Sequence, residues 1–216
     1  MMISIIIPTY NEIVKIESFQ KQFENLKGDF EVIFSDGFST DGTYEKIYFP
    51  KIQETKFRSN QMNSAAKYAK GDYLWFLHAD SIIHKNSILE IKNSKSNIGC
   101  FKLAFDSPKW QLKMVAFNSS LRVKFRNIAF GDQGIFIKRE LFEKIGGFAP
   151  IPIMEDYQLS IDLKNSGEKF YLSDLPIITS ARRFEENGIW KTIFKMQLLQ
   201  HQYRKSEDID KIYRRY

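Results

Sequence analysis

Four isoleucines in five residues, Ile3, Ile5, Ile6 and Ile7, run up to Pro8, and no other stretch limits the fold as strongly. Such a run has no polar face. A strand made from it is buried on both sides, as in a parallel sheet covered by helices. The following segments keep the matching rhythm. Ile13, Ile16, Phe19, Phe23 and Leu26 recur at helical spacing over Glu12 to Leu26, and Gly28 stops that helix. Glu31 to Ser35 predicts a second strand, followed by the turn-rich DGFSTDGT. Thr43 to Ile47 predicts a short helix, Ile52 to Thr55 a third strand, and Gln61 to Ala69 a helix with Gly71 just past its end. Tyr73 to Leu77 is a fourth strand and Ser87 to Lys92 another helix. Strand and helix alternate, which predicts an α/β, doubly wound, mostly parallel sheet with right-handed crossovers. Ligands of such sheets sit beyond the carboxyl ends of the strands. Pro8 to Glu12, Asp36 to Asp41 and His78 to Asp80 therefore share one rim.

The pattern changes after Gly99. Cys100 to Phe105 and Gln133 to Ile137 predict strands. Lys109 to Lys124 predicts an amphipathic helix whose stripe of Trp110, Met114, Phe117 and Leu121 reads as core packing. Arg139 to Ile145 and Asp156 to Asn165 predict short helices, and Gly188 to Tyr216 a basic helical tail. Residues 181–216 hold nine Lys/Arg and five Asp/Glu, so +4 of the chain's net +6. At 216 residues and 43% hydrophobic content a sizeable core is available, and 19 Phe point to a Phe-rich one. The single cysteine, Cys100, sits in an apolar context and reads as a core thiol. No signal peptide or run of about 18 apolar residues is present, so the expected location is cytoplasmic.

The rim carboxylates carry the candidate chemistry. Asp36, first past its strand, can accept from a base N–H or a ribose hydroxyl; Asp41, before Gly42, is as readily a turn former. Asp80 can serve a hard cation, since Mg²⁺ typically takes one or two protein carboxylates and completes its shell with water and phosphate. His78 alone reads as a structural or supporting histidine. Glu155 and Asp156 open a helix, where acidic residues favour the dipole; the apolar, Pro-containing loop before them could turn one inward as a general base. The chain has no G-x-S-x-G, Walker loop, G-x-G-x-x-G or Cys/His zinc spacing. Dispersed basic residues and a carboxylate rim argue against nucleic acid as a partner.

IIIPTYNE (Ile5–Glu12), SDGFSTDGT (Ser35–Thr43), FLHAD (Phe76–Asp80) and Glu155-Asp156 occur in that order. Together they resemble family 2 glycosyltransferases of the GT-A fold, a Rossmann-like architecture. RSNQMNSAAKYAKGDYLWFLHAD, FGDQGIFIKRELFEKIGGF and PIMEDYQLSIDLKNSG look like a compact bacterial branch with QMN, HAD, GDQ and ED motifs. The resemblance runs from about Ile3 to Arg183. It implies one GT-A domain over residues 1–187 with a helical extension over 188–216. It also implies an inverting sugar transfer from a nucleotide diphosphate sugar, assisted by Mg²⁺ or Mn²⁺. Carried onto this chain, Pro8, Tyr10, Asn11 and Glu12 would line the nucleotide pocket, with Asp36 on the base and Arg58 and Asn63 near the donor. Asp80 would hold the metal and Asp156 would be the catalytic base. Gly131, Asp132 and Gln133 would border donor sugar and acceptor, with Glu155 beside them.

The chain departs from the family pattern in three places. Gly37 replaces the second aspartate of the common loop, and His78 the first carboxylate of D-x-D. The Q-x-x-R-W acceptor motif is missing; Arg182, Arg183 and the tail could supply diphosphate contacts instead, or form plain surface. Two rival readings stay open: a non-catalytic nucleotide-sugar-binding protein of the same fold, and a sugar nucleotidyltransferase. The acceptor would be a glycan or a lipid-linked hydroxyl. The basic, aromatic tail could rest on the inner membrane face, or pack on the domain or against another subunit.

Overall fold

The computed structural model describes residues 1–55 and 57–216. Its elements in chain order are β1 (Ile3–Thr9), α1 (Ile13–Lys21), β2 (Phe30–Asp36), α2 (Thr43–Lys46), β3 (Lys51–Gln53), α3 (Arg58–Ala66), β4 (Tyr73–Phe76), α4 (Ser87–Ser94) and β5 (Ile98–Phe105). They continue with α5 (Trp110–Arg126), β6 (Phe136–Lys138), α6 (Arg139–Lys144), α7 (Glu155–Asn165), β7 (Tyr171–Thr179), α8 (Arg182–Asn187), α9 (Ile189–Arg204) and α10 (Ile209–Arg215). The seven strands form one sheet in the order β3-β2-β1-β4-β6-β5-β7.

The isoleucine run behaves as its composition requires. Ile3, Ile5 and Ile7 enter one hydrophobic cluster and Ile6 the cluster on the opposite face, so β1 is covered on both sides. Pro8 does not end the strand, which continues to Thr9. The reason lies in the neighbours. β1 pairs with β2 as far as Thr9–Asp36 but with β4 only as far as Ile6–Phe76. Leu77 N–H bonds Ile6 C=O, so even-numbered β1 residues point their amides toward β4. Pro8, which lacks a donor, faces the side where β4 has already turned away. Much of the Phe-rich core is a set of ring contacts. Trp75 meets Phe101 at 5.3 Å, Phe101 meets Phe136 at 5.7 Å, and Phe19, Phe23, Phe34 and Phe49 form a second group.

β3, β2, β1 and β4 are parallel, as the alternation predicts. β6 is antiparallel to both β4 and β5, and β7 is parallel to β5. Reversing β6 has a specific result. The turn that precedes it, Gly131–Gln133, lies at the same rim as the carboxyl ends of β1, β2, β4, β5 and β7. The strand expected over Gln133 to Ile137 thus begins at Phe136, and Gln133 is the last residue of a 3₁₀ turn. β7 had no sequence-level counterpart. The stripe read as core on α5 is also corrected, since Trp110 and Phe117 stand exposed.

Gly134 makes the step from turn to strand. It adopts φ +58, and an added Cβ would lie 2.1 Å from Ile177 Cδ1 and 3.0 Å from Trp75 Nε1. Both the left-handed backbone and the collision oppose a side chain. Gly134→Ala is expected to lower unfolding free energy in urea by roughly 2–4 kcal/mol with an unchanged m-value; an unaffected midpoint would contradict this packing.

Candidate active site

The rim is assembled from loops tied to one another. Asn11 takes φ +54 after β1. Its amide donates to Ser39 Oγ at 2.9 Å, and its side-chain oxygen accepts from Thr40 N at 2.9 Å. Glu12 N donates to Thr43 Oγ1 (2.8 Å), and Ile13 N to Asp41 Oδ2 (3.1 Å). Asp41 is thus a loop holder. Asp36 is fully buried; it accepts from Ser39 N (2.8 Å), Ser39 Oγ (2.5 Å) and Thr9 Oγ1 (3.3 Å). Its carboxylate secures the turn after β2 and does not line the cavity below.

That cavity has a volume of about 480 Å³. Pro8, Tyr10, Glu12, Arg58, Asp80, Asp132, Asp156, Arg182 and Arg183, all expected at the site, line it. Asn63 does not. Its amide group exchanges two hydrogen bonds with the Phe148 backbone at 2.8 and 2.9 Å, which pins α3 to the loop after α6. Gln133 is buried and accepts from Arg122 at 2.7 Å, a bond inside the domain. Asn11 and Gly131 shape the rim through backbone geometry.

Asp156 is the centre of the arrangement. It stands in the first turn of α7 after Met154, which is forced to φ +66. Its Oδ2 accepts from Gly131 N at 2.7 Å and its Oδ1 from Tyr157 N at 2.7 Å. Two amide donors therefore fix the carboxylate. Gly131 can approach because it has no side chain: a Cβ there would sit 2.9 Å from His78 Nε2 and 3.4 Å from Asp156 Oδ2. The reversed β6 thus brings the end of β4 and the start of α7 to one point. Burial, then the charge of Arg58, pushes the His78 imidazole down to about 3, so it is neutral at ordinary pH.

Glu155 does not line the cavity. It is buried and receives Arg58 Nε at 2.8 Å, which joins the starts of α3 and α7. Its other oxygen, Oε2, has no hydrogen-bond partner among the described residues, and neither does the buried Asp132 Oδ1. Burial, ahead of neighbouring charges, raises Asp132 to about 6. Burial also raises Glu12, followed by the charge of Asp80. Several carboxyl groups thus face one space, partly offset by Arg58 and Arg182.

The donor set sets limits on a metal. Among the described residues no group of three or more His, Cys, Asp or Glu could hold an ion. A closed, zinc-type cage is therefore not built. Asp80 on the cavity wall, with its charge felt by Glu12 and Asp132, instead matches a hard cation that draws most of its ligands from phosphate and water.

The other wall was not anticipated. Phe105, Thr179 and Ser180 come from the ends of β5 and β7, and Thr192, Met196 and Gln200 from α9. The last three recur every four residues opposite Trp190 and Phe194, a signal readable in the tail's periodicity. The segment after Gly188 also packs inward, with Leu199 and Ile212 joining Ile153, Met154 and Tyr157 in one cluster.

The family model for glycosyl transferase family 2 matches residues 4–146. The chain belongs to that family. The match covers the β1, β2 and β4 loops and Gly131–Gln133, and ends before Glu155 and Asp156. The abequosyltransferase RfbV of Salmonella typhimurium is 33% identical over 106 residues, covering 41% of this chain and 31% of that protein. An uncharacterized glycosyltransferase of Haemophilus influenzae is 26% identical over 184 residues, covering 75% and 62%. The chain thus spans less than two thirds of either relative. Among solved structures, the mannosyltransferase PcManGT of Pyrobaculum calidifontis, in complex with GDP-Man and Mn²⁺, superposes with a TM-score of 0.68 at 21% identity, over 95% of this chain and 64% of that one. A 1–349 fragment of S. aureus TarS in complex with UDP-GlcNAc gives 0.66 at 19% identity, over 83% and 58%. These likenesses establish the GT-A fold.

The Arg58–Glu155 pair has a pH signature. The Glu155 carboxyl is raised, by burial first, against the opposing pull of Arg58. Arg58→Met leaves that charge uncompensated. Because Arg58 is partly exposed, the expected loss of stability at pH 7 is roughly 2–3 kcal/mol, below that for a sealed pair. A carboxyl with a raised folded-state pKa costs stability only where the unfolded chain would ionise it, above about pH 4.3. The deficit of Arg58→Met should therefore shrink as pH falls toward 4. Equal deficits in urea at both pH values would show that Glu155 is not the cause.

Proposed function

We propose that the chain transfers a sugar from a nucleotide diphosphate sugar to an acceptor hydroxyl with inversion at the anomeric carbon. The observation that carries this reading is the Asp156 carboxylate, held by the Gly131 and Tyr157 amides on the wall of the cavity that Asp80, Arg58 and Arg182 also line. One fixed base facing a pocket lined by both arginines and carboxylates suits a single displacement. No covalent enzyme intermediate is needed.

Asp156 takes the proton of the acceptor hydroxyl as its oxygen bonds to the anomeric carbon. The bond from that carbon to the diphosphate oxygen breaks on the opposite face. Arg58, Arg182 and Arg183 supply positive charge toward the departing diphosphate. Asp132 lines the same cavity, on the side where the donor sugar would lie. Asp80 would hold a divalent cation, Mg²⁺ or Mn²⁺, which when bound neutralises charge on the diphosphate. Pro8, Tyr10 and Glu12 line the same cavity on the β1 side, where the nucleoside would lie. The donor complexes of the two solved relatives, with GDP-Man and with UDP-GlcNAc, and the abequosyltransferase relative support a nucleotide-sugar donor. The acceptor is a glycan or a lipid-linked hydroxyl. No helix among the described residues is long and apolar enough to cross a membrane, and a cytoplasmic site of action is part of the proposal. A second reading, a nucleotide-sugar-binding protein without turnover, draws on His78 standing where the family has a carboxylate.

Two substitutions separate these readings. Asp156→Asn is expected to lower transfer, or donor hydrolysis, by roughly 10²–10⁴-fold while leaving nucleotide affinity within a few-fold. Near-native turnover would remove Asp156 from the role, and no hydrolysis of any donor by the native chain would favour the binding protein. Asp80→Ala should abolish the Mn²⁺-dependent part of UDP or GDP binding in calorimetry. Affinity that is equal with and without Mn²⁺ in both proteins would refute the metal assignment.

A further inference from the structure

The α5 stripe and one face of α9 are apolar yet uncovered. Trp110 and Phe117 on α5 are each 63% exposed; Trp190, Phe194 and Leu198 on α9 are 55%, 69% and 45% exposed. The two helices adjoin. Trp110 meets Trp190 edge to face at 6.1 Å at their starts, and beyond the end of α5 Tyr157 of α7 stands between Phe130 and Tyr203 of α9 at 6.0 and 5.8 Å. Isolated exposed apolar residues are ordinary, but aromatic side chains in contact on neighbouring helices mark a surface that meets something.

Charge selects the partner. α5 carries Lys113, Arg122, Lys124 and Arg126, and α9 carries Lys191, Lys195 and Arg204; neither contains Asp or Glu. These 33 residues thus hold +7 of a chain whose net is +6, so the rest sums to −1. Arg122 is turned inward against Gln133 and the Phe130 ring, which leaves six cations exposed on the two helices. On α8, Glu185 is taken up by Lys109 at 3.1 Å. Exposed Trp and Phe flanked by Lys and Arg fit the interface of an anionic bilayer, where rings enter the headgroup region and cations meet lipid phosphates.

We infer that the α5–α9 face docks on an anionic lipid surface through Trp110, Phe117, Trp190, Phe194 and Leu198. This differs from contact through the distal tail. Tyr203 donates to Gln158, Tyr213 packs on Phe57 and Tyr216 lies on Arg183, so these three tyrosines toward the end of the tail are engaged within the chain. The placement also serves the cavity. At 100° per residue, Thr192, Met196 and Gln200 project from the side of α9 opposite Trp190 and Phe194, and they line the cavity. One helix diameter, about 10 Å, then separates the lipid surface from the cavity wall. A lipid-anchored hydroxyl could reach Asp156 without leaving the membrane; that last point rests on the sugar-transfer reading, and the docking itself does not.

The test is flotation of the full chain with phosphatidylcholine vesicles, with and without phosphatidylglycerol. Binding is expected on the anionic vesicles, reduced by salt, with a blue shift of tryptophan emission. The double variant W190S/F194S should bind roughly tenfold or more weakly, the scale expected when two large aromatic contacts leave an interface, and K113E/K191E should lose the anionic preference. UDP binding and thermal unfolding of both variants should match the native chain, which separates a failure of docking from a failure of the active-site reading or of folding. No binding to anionic vesicles, or equal binding by the variants, overturns the inference. So does a native dimer by light scattering that W190S/F194S converts to monomer, since a second copy would then cover this face.

Discussion

One strand running against its neighbours determines how the site is made. In an all-parallel sheet, only strand ends and helix starts would meet at the ligand rim. β6 enters between β4 and β5 in the opposite sense. Its preceding turn therefore arrives where the other strands finish, and a backbone amide, Gly131 N–H, is delivered to the first turn of α7. The bond it makes to Asp156 connects two segments 25 residues apart and fixes the group on which the proposed chemistry turns. The need for glycine follows from the same crowding, because His78 occupies the space a side chain would use.

Around that bond the protein concentrates unlike charges with unequal solvation. Arg58 divides its influence, pairing with the buried Glu155 on one side and lining the cavity on the other. It helps keep His78 neutral and opposes the raised state of Asp132. Glu155 and Asp156 are adjacent in sequence and opposite in task. One joins the starts of two helices, and the other lines the cavity. Acidic residues at a helix start always serve the helix dipole to some degree, and here the packing directs the second of them to further use.

Local chemistry explains what could be read in advance. The isoleucine run, the glycine stops and the Asp/Ser/Thr turns of the first hundred residues each act within a few positions, so the parallel half of the sheet and its rim were legible. So were Asp80 and Asp156 as residues of one cavity, through motif order; Arg58 came through the family resemblance, and Arg182 and Arg183 only as substitutes for a missing motif. The partner of β6 and the existence of β7 depend on long-range pairing, and Pro176 within β7 hides it further. Asp36, Asn63 and Gln133 have the residue types expected of ligand contacts, yet their hydrogen bonds close inside the domain. Periodicity on α5 revealed an apolar face correctly but could not say whether protein covers it.

The stitched loops after β1 and β2 carry a kinetic consequence. Asn11, Glu12, Ile13, Ser39, Thr40 and Asp41 are cross-linked by hydrogen bonds in the free chain. A molecule arriving at this end finds the backbone already ordered and surrenders little of the protein's conformational entropy on binding. Recognition there is close to rigid-body docking, so differences in affinity between molecules that bind there should appear chiefly as differences in residence time.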